Sequence, residues 1–270
     1  MLAVVLEESR RLGVPIHRVS QGSGVMMLRD SEITDMLGLA DEAGTELCLF
    51  IGPRGTWDIG AAVCASTGGG GPRVRGLEQL NYCLEDAARA VDLGVRNLLV
   101  ADEGVLWALH GRRSEGALPS DLRLKLSVLI GPANPYAFLV MAALGADSLN
   151  VQGDLTVGQI AQIRAVSDAA MDLYLEAPDD LGGFVRLYEA EELIRAGAPL
   201  YLKFGLRHAP GLYPAGRHLL EVAKSTAAER VRRARLTLDI LERRGGATLP
   251  MSPTGDPRLP SPQRFDGLGS

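Results

Sequence analysis

The chain has 270 residues, 46% of them hydrophobic, enough for one large core, and α/β barrels of about 250 residues are commonly single domains. Its net charge of −5 argues against sequence-independent binding to nucleic acid, which calls for a basic surface. The three cysteines, Cys48, Cys64 and Cys83, are odd in number and lack zinc spacing, so no disulfide framework or zinc module is expected, and a cytoplasmic location is the simplest account.

The chain opens with "MLAVVLEESRRLG", a helix with no strand before it. A strand in "VPIHRVSQ", a helix in "SEITDMLGLADEAG" and a strand in "ELCLFIG" follow. "STGGGGPRVRG" (Ser66–Gly76) has no Lys-Ser/Thr after its glycines. It is therefore no Walker loop and reads as a flexible lid. Next come the helix "GLEQLNYCLEDAARAVDLG", the strand "NLLVAD" and a helix around "VLWALH" that carries Trp107, a core candidate, and His110. The alternation continues through "RLKLSVLIG", "NPYAFLVMAALG", "SLNVQG", "TVGQIAQIRAVS", "MDLYLEAP", "FVRLYEAEELIRAG" and "LYLKFG". Met141, in the second of these segments, reads as core. Gly44, Gly94, Gly145 and Gly197 stand where helices need a C-cap.

His218 precedes a last helix, Lys224–Arg244, with Val231, Ala234, Leu238 and Leu241 as its core stripe. The basic run within it alternates with acids and apolar positions, so it reads as a solvated face. No signal peptide and no membrane-length apolar run is present, so no membrane association is expected.

Repeated strand–helix units with right-handed crossovers imply parallel strands in a barrel or an open doubly wound sheet. Seven strands can be counted where a closed barrel has eight. The expected fold is a TIM-type (β/α)8 barrel lacking its first strand in this chain, the gap left to a partner chain or the tail. The barrel domain spans 1–245. The Pro/Gly/Ser-rich 246–270 cannot build a core and is expected to be disordered.

Strand side chains alternate in direction. Lys203 shares a face with Tyr201; Asp172, Tyr174 and Glu176 share another; so do Ser148, Asn150 and Gln152, and Lys125 and Ser127. Arg18 and Ser20 fit the same scheme. With apolar faces turned to the helices, these polar faces line the barrel, where Lys203 and Lys125 would neutralise Glu176 and Asp172. That is either a structural network or a polar pocket at the carboxyl ends of the strands, where barrel enzymes place their chemistry. The same ends supply Gln21, Arg54, Trp57, Asp58, Asp102, Glu103, Gln152, Asp154, Asp179, Asp180, Arg207 and His208. Glu176 and Asp102 could be acid, base or ligand of a divalent metal. Lys203 could stabilise an oxyanion or form a Schiff base. Arg207, Arg54, Gln152, Asn150 and Tyr174 are the candidate substrate contacts.

The order of segments from about Leu2 to His208 resembles the collagenase-like peptidases of family U 32. "VADEGVLWAL" is similar to that family's strand ending in Asp-x-Gly. "LKLSVLIGPANPYAFLVMAALGADSLNV" and "VQGDLTVGQIAQIR" resemble two further family segments. "AGAPLYLKFGLRH" resembles its Lys-Ile-Glu-Gly-Arg signature, with Lys203 at the lysine and Arg207 near the arginine. The family's His-Gly motif and cysteines would fall at "LEAPDDLGG", which contains neither, so no iron–sulfur cluster is expected.

The resemblance implies a barrel hydrolase of peptidase type acting on a small or peptidic substrate. Two alternatives stay open. One is a lyase or isomerase acting on a small carboxylate or sugar acid. The other is a non-catalytic binding or assembly barrel, whose unpaired edge would invite another chain or a second copy.

Overall fold

Strands and helices alternate through the described residues of the computed structural model, 1–52, 73–212, 215–245 and 251. Helix α1 (Leu2–Leu12) leads into β1 (Arg18–Gln21), α2 (Asp30–Glu42), β2 (Glu46–Phe50) and α3 (Gly76–Asp92). Then come β3 (Asn97–Val100), α4 (Glu103–Ser114), β4 (Arg123–Leu126), α5 (Pro135–Ala143) and β5 (Ser148–Asn150). The chain finishes with α6 (Val157–Arg164), β6 (Ala170–Glu176), α7 (Ala190–Gly197), β7 (Leu200–Phe204) and α8 (Leu220–Arg243). The seven strands form one sheet in sequence order, every pair parallel. The result is the curled partial barrel expected from the seven strands.

The helix starts are written in local chemistry. Asp102 caps α4 by accepting from the Val105 N–H, Asn134 caps α5 from the Ala137 N–H with Pro135 in its first turn, and Thr156 forms a capping box with Gln159 on α6. Gly44, Gly94 and Gly145 adopt positive φ just past their helices, as C-cap glycines do.

Gly197 differs from that expectation. It is the last residue of α7, and a Cβ there would lie 2.8 Å from Ile160 Cγ2 and 3.3 Å from Met171 Cε. It is glycine because α7 packs against α6 and the sheet without room for a methyl. Gly197→Ala should therefore cost about 1–3 kcal/mol by overpacking, read as a lower urea midpoint with an unchanged m-value.

The two faces of the sheet have different characters. Leu47, Leu49, Leu98, Val100, Leu124, Leu126, Leu149, Leu173 and Leu175 join the helices in one large apolar cluster. The opposite face is split. On β2 and β3 it is apolar, with Cys48, Phe50, Leu99 and Ala101 packed together. From β4 through β7 and on to β1 it carries the charged and amide side chains.

Strands β1 and β7 are the two edges of the sheet. Across the seam the Arg18 guanidinium lies over the Tyr201 ring, 3.9 Å from its centroid. Outside the seam Val14, Val231, Ala234, Phe204 and Leu238 pack together and draw α8 against α1. The core stripe read for α8 thus holds, though the helix begins at Leu220 rather than Lys224. Trp107 does not join the core: it is 63% exposed on α4, whereas Met141 packs against the apolar cluster as expected.

Candidate active site in the barrel interior

The strand register decides which side chains meet. Asn150, Asp172 and Tyr201 stand side by side across β5, β6 and β7, and Tyr174 stands beside Lys203 one step nearer the carboxyl ends. Asp172, 1% exposed, is the hub. Its Oδ1 accepts from Lys125 Nζ and its Oδ2 from Arg18 Nη1 at 3.1 Å. Arg18 also donates to Ser148 Oγ at 2.9 Å and to Glu46 Oε2 at 2.6 Å, and the Tyr201 hydroxyl donates to the same Glu46 oxygen at 3.3 Å. Burial alone would raise the Asp172 pKa. Lys125, Arg18 and Lys203 together reverse this and hold it below the usual carboxylate value.

Lys203 occupies a different setting. Its Nζ donates to Asn150 Oδ1 at 2.7 Å and lies 4.3 Å from the centroid of the Tyr174 ring. Asn150 is itself fixed, donating from Nδ2 to the Leu126 carbonyl at 2.9 Å. The nearest hydrogen-bond partner of this lysine is therefore a neutral amide. Burial lowers its pKa to about 8, with Asp172 opposing the shift. Lys125 is likewise lowered to about 8 by burial, but it holds a direct ion pair with Asp172. Lys203 is the half-buried one, Lys125 the fully buried one. Of the two amines, Lys203 is the one a small molecule could reach.

The remaining candidates sort by what they touch. Glu176 was expected beside Lys203. The regular part of the β6–β7 register sets Tyr174 opposite Lys203, and Glu176, beyond an irregularity in the ladder, pairs with Phe204. Glu176 accepts from the Arg207 N–H at 3.1 Å and lies 3.2 Å from Arg233 Nε of α8. That second contact is an ion pair whose N–H is not aimed at the oxygen, since neither atom has a hydrogen bond.

Asp102 uses both oxygens on backbone, accepting from Val105 N–H at 3.0 Å and Val74 N–H at 3.1 Å. Gln152 donates to the Val128 and Gly131 carbonyls, and Gln21 accepts from Gly24 N–H. Asp179 accepts from the His208 N–H at 2.8 Å and stands 3.7 Å from Arg207 Nε. Glu103 pairs with Arg73, and Asp154 and Asp180 are exposed. Much of the polar rim thus satisfies loop backbone, as buried N–H groups require. Arg54, Trp57 and Asp58, with most of the glycine-rich lid, lie outside the described residues, as does the tail apart from Met251. Among the described residues, no three His, Cys, Asp or Glu side chains converge to hold a metal, and no helix is long and apolar enough to cross a membrane.

Sequence reasoning undervalued Arg18, which the structure places at the centre of the network, and passed over a signal that points to Lys203. Lysine and arginine together number 28 in this chain, yet only Lys125, Lys203 and Lys224 are lysine. Where arginine is the default cation, two of three lysines turned into the barrel suggest a property arginine lacks. Lysine can give up its proton when buried.

No protein-family model matches the chain, and none of the curated proteins matches it. Solved structures do. The homocysteine methyltransferase MmuM from Escherichia coli is 13% identical over 86% of this chain and 83% of its own, with a TM-score of 0.51. The YdjI aldolase from Escherichia coli is 14% identical over 92% and 87%, with a TM-score of 0.47. The U32 peptidase Mk0906 is 19% identical with a TM-score of 0.41, and the match spans 62% of each chain. At such identities the likeness is one of fold, a TIM-barrel enzyme architecture, and membership of family U 32 is not shown.

Proposed function

We propose that this chain is a barrel lyase or isomerase acting on a small carbonyl acid, with Lys203 as the amine that condenses with the substrate carbonyl. The observation that supports it is the setting of Lys203: half-buried, hydrogen-bonded to the Asn150 amide rather than to a carboxylate, and lowered by burial to about 8. At pH 7 roughly 300-fold more of such an amine is neutral than of a lysine at 10.5.

In the proposed reaction, neutral Nζ attacks the carbonyl carbon and the C=O electron pair moves to oxygen. One amine proton and one proton from solvent leave with that oxygen as water, giving an iminium. The iminium then accepts the electron pair of the adjacent bond as it breaks. If that bond is C–C the reaction is a lyase step; if it is an α C–H, an isomerase step. A proton then returns to the enamine carbon, and water re-enters to release product and Lys203. Lys125 and Arg18 favour negative charge in the same interior.

Hydrolysis by carboxylate-activated water, the other reading of the barrel, has less support. Asp102 spends both oxygens on backbone, and Glu176 is 1% exposed between Arg207 and Arg233. These two residues fit better as groups that hold the rim in place.

Borohydride reduction in the presence of pyruvate, or of a short aldehyde, tests the reading. The expected product is one reduced adduct, located on Lys203 by peptide mass spectrometry. With three lysines in the chain the assignment is direct. Adducts on Lys224 or the N-terminus, with Lys203 unmodified, would overturn it.

A further inference from the structure

We infer that Arg230 anchors the anionic end of the substrate whose carbonyl meets Lys203, so that the substrate is a short carbonyl compound bearing a carboxylate or phosphate. The inference deepens the Lys203 reading and rests on it for its chemistry. It starts from a contrast within α8. Arg232 pairs with Glu229, Arg233 with Glu176 and Glu229, and Arg235 with Asp239 and Glu242. Arg230 is half-buried in the same run, yet among the described residues it makes no ion pair and no hydrogen bond.

None of the Arg230 nitrogens is both buried and unpaired, so an anion arriving from solvent can reach the guanidinium. Its field reaches the Tyr174 hydroxyl. The ring of that same tyrosine lies beneath Lys203 Nζ. The charge of Arg230 and the amine of Lys203 thus both act on one tyrosine. Arg233, one turn further along α8, reaches Glu176 at the end of β6, which places this face of the helix over the β6–β7 side of the barrel.

The charges sharing that hydroxyl have been placed. Lys125 and Asp172 neutralise each other deeper in the barrel. Asp180 acts on the same hydroxyl but is exposed and forms no ion pair with Arg230 among the described residues. Arginine suits either anion, since its fork meets two oxygens at once.

The test compares the wild-type chain with Arg230→Gln and Arg230→Lys, using pyruvate, its uncharged counterpart pyruvamide, and inorganic phosphate. In the glutamine variant the pyruvate concentration for half-maximal borohydride trapping should rise at least about tenfold, a loss of about 1.4 kcal/mol. The pyruvamide value should not move, and lysine should restore part of the loss. A purely structural role for Arg230 would shift both probes together and would overturn the inference, as would an unchanged pyruvate value. Competition by phosphate in the wild type, absent in the glutamine variant, would assign the site to a phosphate-bearing substrate; its absence would assign a carboxylate.

If no probe is trapped by the wild type, the Lys203 reading fails by itself. Arg230 is then judged by thermal stabilisation: stabilisation by pyruvate or phosphate that vanishes in Arg230→Gln sustains the anion site, and none, or an undiminished shift, overturns it.

Discussion

Asp172→Ala is expected to lower the unfolding free energy by about 3–5 kcal/mol, the loss typical when one partner of a buried ion pair is removed and the other left uncompensated. The carboxylate is 1% exposed and accepts from both Lys125 and Arg18. Without it, Lys125 keeps only Ser20 Oγ, at 3.4 Å, among the described residues, whereas Arg18 keeps Glu46 and Ser148. Urea unfolding with an unchanged slope reads the effect. The pH dependence has a definite sign. The folded-state pKa of Asp172 lies below its unfolded value, so its stabilisation is full above the unfolded pKa, about 4, and is lost as pH falls through the folded value. Asp172→Ala should lose that part of the acid-side slope. Replacing Asp172 and Lys125 together by leucine and methionine should recover most of the loss, because no unpaired charge then remains on β4 or β6. A single-variant loss below about 1 kcal/mol would mean that the hub carries little of the fold's stability.

Lys203→Met should have the opposite profile: a chain of near-native stability that forms no imine. The substitution removes a half-buried amine whose partner is the neutral Asn150 amide. The loss of one hydrogen bond, about 1 kcal/mol, is opposed by relief from burying a charge. Because the folded-state pKa is lowered to about 8, the folded state binds fewer protons than the unfolded state between about 8 and 10.5. This residue's contribution to stability therefore rises with pH across that window, and Lys203→Met should flatten the rise. Lys203→Arg separates charge from nucleophilicity. It keeps a cation over Tyr174 but cannot deprotonate, so it too should form no adduct. Trapping by either variant at the wild-type level would remove Lys203 from the chemistry.

The architecture was legible because its signals are local. Period-two runs marked the seven strands, helical periodicity marked the segments between them, and three of the four glycines marked helix ends. The interior was legible in part. The pairing of Lys125 with Asp172 follows from alternation alone. The pairing of Lys203 with Glu176 does not hold, because the register sets Tyr174 opposite Lys203 and Glu176 opposite Phe204, and alternation gives the face of a side chain but not its level along the neighbouring strand. Arg18 lies on a short strand whose register alternation left uncertain, and only its neighbours across the seam show its place.

The polar rim misled for another reason. Asp102 as a helix cap and Asp102 as a catalytic acid are the same letter at the same strand end, and only the positions of Val105 and Val74 separate them. Trp107 shows the limit of reading burial from residue type: α4 presents it to solvent while Leu106 and Leu109 face the core.

The central claim is that Lys203 is an amine poised to be neutral near physiological pH. The most direct measurement is its titration in the intact chain, by competitive acetylation across pH 6–11 with peptide mass spectrometry. An apparent pKa near 8 for Lys203, with reactivity lost in Lys203→Arg, is the predicted result. A titration near 10.5, or a Lys203 that stays unlabelled at every pH while Lys224 reacts, would contradict the account.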